Sequence, residues 1–221
     1  MILDRFKVDG RVAVVTGAGR GIGRGVSIAL AEAGADLVLA ARREHTLQEV
    51  ASIVEKNGGR ALVVPTDVLV PEQLDRLVER ALAEFGGVDL LVNITSGLSH
   101  LVDHGFVAYG TAKAAMSHMT RLLAHEWAPL VRVNAIAVGA TQTDALAMVT
   151  ADKALAKQME ELTPMRRLGT VEDIGAAALY LLSEAGSWAT GRFSKSTVAR
   201  SIPTGLLPCR AGSRAQKGSE S

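Results

Sequence analysis

Short apolar runs alternate with segments of helical periodicity between residues 11 and 186. Five apolar runs predict buried strands: RVAVVTG (11–17), DLVLAA (36–41), ALVVPTD (61–67), VDLLVN (88–93) and VRVNAIAV (131–138). The segments with helical periodicity are 21–35, 43–59, 71–87, 108–128 and 171–186. Strands that are apolar on both faces and separated by helices are typical of a doubly wound α/β fold, in which helices cover both faces of a parallel sheet.

The alternating pattern is lost towards the end of the sequence. Residues 193–221 have no sustained period and are rich in serine, arginine and glycine, so we predict an irregular, disordered tail. Residues 1–192 suit a single domain with a sizeable core. The predicted domain boundary therefore falls between Arg192 and Phe193.

Charge and composition argue against several classes of partner. The 24 basic and 23 acidic residues nearly cancel, so neither a nucleic-acid surface nor a surface for anionic membranes is expected. The first residues, MILDRFKVDGR, are charged, and no run reaches the roughly 20 apolar residues of a membrane span. The single cysteine, Cys209, fits a reducing compartment, and we expect a cytoplasmic protein. No metal site is predicted, because the histidines lack carboxylate or cysteine neighbours at ligand spacing.

A glycine-rich turn, TGAGRGIG, joins the first predicted strand to the first predicted helix. Phosphate binding at such a junction requires exposed main-chain N–H groups, the positive end of the helix dipole and no obstructing Cβ atoms. Gly17, Gly21 and Gly23, with Ile22 between the last two, meet that requirement at the spacing of a dinucleotide-binding turn. The alternative is that these glycines serve a tight turn alone.

The end of the second predicted strand indicates which dinucleotide the turn would take. Proteins that bind NAD usually carry an acidic residue there, which accepts a hydrogen bond from the ribose. This chain has Ala41, Arg42 and Arg43 instead, together with Arg20 in the glycine turn. Because arginine attracts a 2′-phosphate, NADP(H) is favoured over NAD(H). The alternative is that Arg42 and Arg43 form only the solvated start of a helix.

Taken together, these motifs resemble the short-chain dehydrogenase/reductase family. Residues 16–23 match its TGxxxGxG turn, and Ser96 followed by YGTAK at 109–113 matches its Ser and YxxxK spacing. Segments 132–136 and 139–143 are similar to the family's segment after the sixth strand. The resemblance covers roughly residues 9–192 and implies a Rossmann-like sheet that binds a nicotinamide cofactor. The cofactor-binding residues that it implies are Gly17, Arg20, Gly21, Ile22, Gly23, Arg42, Arg43, Asp67, Val68, Asn93, Tyr109, Lys113, Gly139, Thr141 and Thr143.

The resemblance also gives catalytic roles to Ser96, Tyr109 and Lys113. Tyr109 would pass a proton to or from the substrate oxygen while a hydride moves to or from the nicotinamide. An isolated phenol ionises only near about pH 10, so a nearby positive charge is needed, and Lys113 lies one helical turn away on the same face. Ser96 would hydrogen-bond the carbonyl or alcohol oxygen and orient it. The alternative is that the tyrosine and the lysine form only a surface pair.

The chain departs from the family pattern at residues 88–97. The family has a fourth strand, a long helix and a fifth strand that ends at the serine, but here VDLLVN and VNITSG overlap on residues 92–93. A crossover of about 45 residues is therefore expected to be absent. One strand doing both jobs would place Ser96 about 4.8 Å nearer the sheet centre, which is more than catalytic geometry tolerates.

Further consequences are expected from that departure. The sheet should have fewer strands than the family's usual seven, and the family's catalytic asparagine should be missing. Any homo-oligomer would have an incomplete dimer surface, with Leu122 and Leu123 left uncovered. The last strand is also expected to be absent, because FSKSTVARS follows SWATGR. If the codons from Phe193 to Val198 end in C or G, a shifted frame over FSKSTVA reads Leu-Glu-Val-Asp-Gly-Gly, and our hypothesis is that the tail is a frameshift product.

The sequence thus predicts an NADP(H)-dependent oxidoreductase that interconverts a carbonyl and a secondary alcohol of a small molecule. Two alternatives stay open: a nucleotide-binding protein without turnover, and a truncated variant without a function of its own. The substrate itself is not specified, since its pocket would be built from the absent crossover and from residues 145–163.

Overall fold

The computed structural model describes residues 1–89 and 91–196 of the 221-residue chain. Its strands are β1 (Val12–Thr16), β2 (Asp36–Ala41), β3 (Ala61–Pro65), β4 (Leu91–Ser96), β5 (Val133–Val138) and β6 (Phe193–Ser196). Its helices are α1 (Gly21–Glu32), α2 (Glu44–Lys56), α3 (Pro71–Phe85), α4 (Val107–Trp127), α5 (Asp144–Thr150), α6 (Lys153–Leu162) and α7 (Val171–Leu182). Short 3-10 turns occupy Leu3–Phe6, Gly97–Ser99 and Glu184–Gly186. Within these ranges no helix is both long and apolar enough to cross a membrane.

The described strands form two parallel sheets of three strands each. In the first sheet β2 lies between β1 and β3, and in the second β5 lies between β4 and β6. The predicted α/β class, with parallel strands, one domain and fewer than seven strands, is therefore confirmed. Five of the six strands and five of the seven helices were predicted; β6 and the two short helices α5 and α6 were not.

Alternate residues of β1 and β2 face opposite layers of helices, as the two-residue period of a strand requires. Ala13 and Leu37 belong to the larger buried cluster, which also contains residues of α1, α2 and α7. Val12 and Val38 face the other way and pack with Leu77 of α3. Helix α4 lies against β4 and β5. Helices thus cover both faces of the sheets, which is the doubly wound arrangement that the apolar strands predict.

Helix α1 packs closely against α7. A Cβ atom added to Gly25 of α1 would lie 2.7 Å from the Cβ atom of Val171, and one added to Gly175 would lie 2.9 Å from that of Ala29. Real Cβ atoms do not approach so closely, so both positions need glycine. The two helices therefore form a rigid layer behind β1 and β5.

Both ends of α7 are fixed by side chains. At its start the Thr170 hydroxyl accepts a hydrogen bond from the Asp173 N–H, and the Asp173 carboxylate accepts one from the Thr170 N–H and further ones from Arg167. At its end the Arg132 guanidinium donates to main-chain oxygens of Leu181, Leu182, Ser183, Gly186 and Ala189. Burial lowers the pKa of Arg132. These bonds satisfy helix-terminal groups that would otherwise lack partners.

The sheet is interrupted between β1 and β4. The Asp89 N–H donates to the Val12 oxygen over 3.0 Å, and the Asp89 carboxylate accepts from the Val12 N–H over 2.9 Å. Beyond that point no ladder among the described residues joins β1 to β4. A cavity of about 480 Å³ lies there instead, bordered by residues 13–16 of β1 and 91–94 of β4.

This interruption corrects the expected position of Ser96. Strand β4 is paired with β5 along its whole length, from Leu91 opposite Val133 to Ser96 opposite Val138. The strand is therefore not displaced toward the sheet centre; it stays with β5, and the missing crossover leaves an opening beside β1. Of the two residues expected to lose cover, Leu122 is 50% exposed, while Leu123 is only partly exposed.

Strand β6 corrects the expectation that no strand follows residue 192. Residues 193–196 run parallel to β5, with Phe193 opposite Ala135 and Ser196 opposite Val138. A short strand therefore follows at residues 193–196, where the sequence predicted none, while the domain boundary at residue 192 stays a prediction. The rest of the predicted tail, 197–221, and the frameshift hypothesis attached to it lie outside the described residues.

Candidate active site

The glycine turn between β1 and α1 has the open backbone that a phosphate group requires. Gly17 and Gly21 have φ values of +69° and +52°, in the left-handed region that disfavours other residues. A Cβ atom on Gly23 would overlap the Gly17 oxygen, whereas one on Gly17 would meet no atom within 4 Å. The turn is thus tight on its inner side and unobstructed on its outer side. This geometry fits the diphosphate of a dinucleotide.

The predicted arginines lie beside this turn. Arg20 immediately precedes α1, and Arg43 immediately precedes α2. A Cβ atom on Gly19 would overlap the Thr46 side chain, so the glycine turn rests on the first turn of α2. Arg20, Arg42 and Arg43 are all exposed, and none joins an ion pair within the described part of the chain. Three guanidinium groups are therefore available at one edge of the sheet.

Asp67 and Val68 follow β3 at the same edge, because β1, β2 and β3 are parallel. The Asp67 N–H donates to the Gln73 side chain over 2.7 Å, and its carboxylate accepts from the Leu69 N–H over 3.0 Å. Val68 is 52% exposed. Asp67 and Val68, which the resemblance implies for cofactor binding, thus share the carboxyl edge of the first sheet with the glycine turn.

The predicted catalytic residues meet in a cavity of about 540 Å³ at the carboxyl edge of β4 and β5. Ser96, Tyr109 and Lys113 all line it. The Lys113 Nζ atom donates to the main-chain oxygen of Ile94 over 2.9 Å and lies 5.8 Å from the centre of the Tyr109 ring. Burial lowers the pKa of the Lys113 ammonium. The structure therefore brings together the three side chains that the sequence singles out.

Local contacts explain how α4 presents its side chains to β4. A Cβ atom on Gly110 would lie 3.0 Å from the Leu98 oxygen, so this glycine lets the helix approach the turn after β4. The Ser96 Oγ atom accepts a hydrogen bond from the Leu98 N–H over 3.2 Å, which leaves its own hydrogen free to donate. The Phe106 ring meets Tyr109 edge-on, with centroids 6.3 Å apart. Tyr109 itself is 46% exposed and accessible from the cavity.

The loop after β5 completes the cavity and connects it to the glycine turn. Gly139, Thr141 and Thr143 line the cavity together with Ile22 of α1. The loop is held by Gly169, whose N–H donates to the Ala140 oxygen and whose oxygen accepts from the Gln142 N–H. A Cβ atom on Gly21 would lie 3.6 Å from the Thr143 side chain. The two halves of the predicted cofactor site therefore adjoin, although their sheets are separate.

Asn93, which the resemblance implies for cofactor binding, does not line this cavity. Its Nδ2 atom donates to the Thr120 hydroxyl over 2.9 Å. The residue borders the opening between the sheets rather than the catalytic cavity. Asn93 therefore links β4 to α4 in this structure.

Part of the cavity wall was not predicted from the sequence. Ala145, Leu146, Met159 and Leu162 do lie within the expected stretch 145–163. The interval between Ser96 and Tyr109 adds five residues that were not predicted as site residues: Gly97, Leu98, Leu101, Asp103 and Phe106. Their signal in the sequence was weak, since apolar residues at irregular spacing in a loop predict no regular element.

The geometry agrees with what comparison with known proteins finds. A family model described as "short chain dehydrogenase" matches residues 11–100, and one described as "Enoyl-(Acyl carrier protein) reductase" matches residues 91–194. An uncharacterised oxidoreductase of Mycobacterium tuberculosis is 39% identical over an alignment that covers 87% of this chain and 92% of the relative. The chain belongs to the short-chain dehydrogenase/reductase family. It is an oxidoreductase of the type that interconverts carbonyls and alcohols.

Relatives with named activities agree with this class. The 7alpha-hydroxysteroid dehydrogenase of Escherichia coli is 31% identical, with 86% of this chain and 93% of the relative covered. A solved 7alpha-hydroxysteroid dehydrogenase in complex with NADH and 7-oxo glycochenodeoxycholic acid superposes with a TM-score of 0.85 at 28% identity, covering 91% of this chain and 98% of that one. A gluconate 5-dehydrogenase from Burkholderia cenocepacia in complex with NADP and tartrate gives 0.82 at 26% identity, covering 89% and 97%.

The alignment with the M. tuberculosis oxidoreductase is longer than the part of this chain that it includes. It spans 243 positions but includes only 87% of the 221 residues of this chain, about 192. Roughly 50 aligned positions therefore hold no residue of this chain, a length that fits the crossover of about 45 residues expected from the sequence. The two family models overlap at residues 91–100, the stretch that contains β4.

Proposed function

We propose that the protein catalyses the NADP(H)-dependent interconversion of a small-molecule carbonyl and its secondary alcohol, with Tyr109 as the general acid and base. The observation that carries this proposal is the shared cavity of Ser96, Tyr109 and Lys113. Ser96 lies at the end of a strand that is paired with β5 over six residues. The loss of the crossover opens the sheet on the other side of β4.

Each side chain has a role that its contacts support. Ser96 donates its free hydroxyl hydrogen to the substrate oxygen and orients it. Tyr109 gives a proton to that oxygen during reduction and takes it back during oxidation. The Lys113 ammonium is fixed by the Ile94 oxygen and holds its positive charge beside the Tyr109 ring. When bound, the nicotinamide supplies or accepts the hydride.

Three exposed arginines support the preference for NADP(H). Arg20, Arg42 and Arg43 stand beside the glycine turn, and Ala41 occupies the end of β2, where an NAD-specific chain would carry an acidic residue. A 2′-phosphate placed there would form charge-assisted hydrogen bonds with the guanidinium groups. The ribose hydroxyl of NAD would find no acceptor carboxylate at Ala41.

Equilibrium titration of the purified chain with NADPH and with NADH tests the cofactor assignment. We expect NADPH to bind at least about tenfold more tightly, a difference of about 1.4 kcal/mol. The double substitution Arg42→Ala and Arg43→Ala should weaken NADPH binding and leave NADH binding unchanged. Arg76→Ala, which removes an exposed guanidinium from α3, is the matched control and should change neither. Tighter binding of NADH by the unmodified chain would overturn the assignment.

Turnover is measured in the same cell with saturating NADPH and a panel of ketones and aldehydes. The proposal predicts oxidation of NADPH that depends on the added carbonyl. NADPH binding without any carbonyl-dependent oxidation would instead identify a nucleotide-binding protein without turnover. Loss of cooperative thermal unfolding would identify a truncated variant that does not fold stably.

A further inference from the structure

The substrate side of the catalytic cavity has apolar walls and a single acidic side chain. Its walls include Leu98, Leu101, Phe106, Leu146, Met159 and Leu162. Asp103 is the one carboxylate among the lining residues that the structure describes. It lies in the loop between Ser96 and Tyr109. A charged group beside apolar walls gains from a ligand group of opposite charge.

Few groups of the protein interact with the Asp103 carboxylate. One carboxylate oxygen accepts a hydrogen bond from the neighbouring His104 N–H over 2.7 Å. None of the ion pairs found in the described ranges 1–89 and 91–196 includes Asp103. The other charged side chain that lines the cavity, Lys113, is held by the Ile94 oxygen and is needed beside Tyr109. The partly exposed Asp103 is therefore free to bind a group on a ligand.

We infer that the protein prefers carbonyl substrates with an apolar body and a protonated amine at the end remote from the carbonyl, and that Asp103 is the residue that selects the amine. The inference rests on the proposed function, because Ser96 and Tyr109 fix which end of the ligand reacts. The apolar walls accept the body of the substrate by the hydrophobic effect. An ammonium group then gives Asp103 a charge-assisted hydrogen bond, which is stronger than one between neutral groups.

The same arrangement selects against anionic substrates. A carboxylate at the remote end would meet Asp103 as a like charge, which is unfavourable for binding. A neutral alkyl group would gain contact with the leucines but give the Asp103 carboxylate no hydrogen bond from the ligand. The order of preference is therefore ammonium, then alkyl, then carboxylate.

Three ketones of similar size test this order: para-(aminomethyl)acetophenone, para-ethylacetophenone and para-acetylbenzoate. Their affinities are measured by calorimetry with the chain saturated in NADPH, and their kcat/KM values by NADPH oxidation. We expect the aminomethyl ketone to be preferred to the ethyl ketone by about tenfold, the size of effect that one charge-assisted hydrogen bond gives. Asp103→Asn should remove that advantage and raise the relative affinity of the benzoate.

Asp75→Asn is the matched control, because it removes an exposed carboxylate of α3 that lies outside the cavity. It should leave the order of the three ketones unchanged. Equal binding of the three ketones, or an unchanged order in Asp103→Asn, would overturn the inference even if all three are reduced. Preferential binding of the aminomethyl ketone without turnover would support the inference and contradict the proposed function. Failure of all three to bind would also overturn the inference.

Discussion

The Nζ atom of Lys113 donates a hydrogen bond to the main-chain oxygen of Ile94 over 2.9 Å. This bond joins α4, which carries the predicted acid–base tyrosine, to β4, which carries the predicted orienting serine two residues further on. It therefore ties the helix that carries Tyr109 to the strand that carries Ser96. The interrupted sheet and the shared cavity of Ser96, Tyr109 and Lys113 coexist in this structure.

Replacing Lys113 by methionine removes both the anchor and the charge beside Tyr109. We expect kcat to fall by about a hundredfold or more, the typical effect of deleting one preorganised charged or hydrogen-bonding group. The measurement is steady-state NADPH oxidation with a carbonyl that the unmodified chain reduces. Lys56→Met, an exposed position at the end of α2, is the control. Equal activity of the two variants would show that Lys113 has no catalytic role.

Replacing Gly23 by alanine tests the cofactor turn. The new Cβ atom would overlap the Gly17 oxygen, so the turn must shift away from its phosphate-binding geometry. NADPH affinity should fall at least about tenfold. Gly87→Ala is a suitable control, because a Cβ atom there meets nothing within 4 Å. Unchanged NADPH affinity in Gly23→Ala would mean that the cofactor binds elsewhere.

Replacing Gly175 by alanine tests the close packing of α1 on α7. In a helix with free space this change would stabilise the protein by about 1 kcal/mol, since alanine is the better helix former. Here the added Cβ atom would lie 2.9 Å from the Cβ atom of Ala29, so we expect destabilisation of about 1–3 kcal/mol. Urea unfolding measures the change, and an increase in stability would contradict the packing.

The acid dependence of stability tests the cap of α7. Hydrogen bonds from Arg167 and from the Thr170 N–H lower the pKa of Asp173 below its usual range. Because the pKa is lower in the folded state, the stabilisation is present above the unfolded value of about 3.9 and is lost as the pH falls below it. The stability difference between the unmodified chain and Asp173→Asn should therefore be largest at neutral pH and shrink in acid. Urea titrations from neutral to acidic pH measure it, and a constant difference would argue against the cap.

Much of this architecture was predictable because its signals are local. The runs that became β1, β2 and β3 are bounded by glycines and helical periods, and the glycine turn falls at the junction where a phosphate site belongs. Tyr109 and Lys113 are four residues apart, which places them on one face of any helix. Ser96 was added by resemblance, and the cavity confirms that the three meet.

The remaining features depend on contacts between distant residues. Residues 88–93 suit a strand beside β1 as well as one beside β5, and the choice was settled by six paired residues on one side against Asp89 alone on the other. No local sequence pattern indicates which of these two pairings forms. Likewise, Asp103 lies in a loop whose sequence gives no period, and only the course of that loop between β4 and α4 places the residue at the cavity.

The proposed role of Tyr109 is tested most directly by Tyr109→Phe, which removes the phenolic oxygen and keeps the ring beside Phe106. NADPH affinity and carbonyl-dependent NADPH oxidation are measured on the same sample. We expect NADPH still to bind and turnover to be lost, as the acid–base role of Tyr109 requires. Turnover at the unmodified rate with NADPH still bound would contradict it.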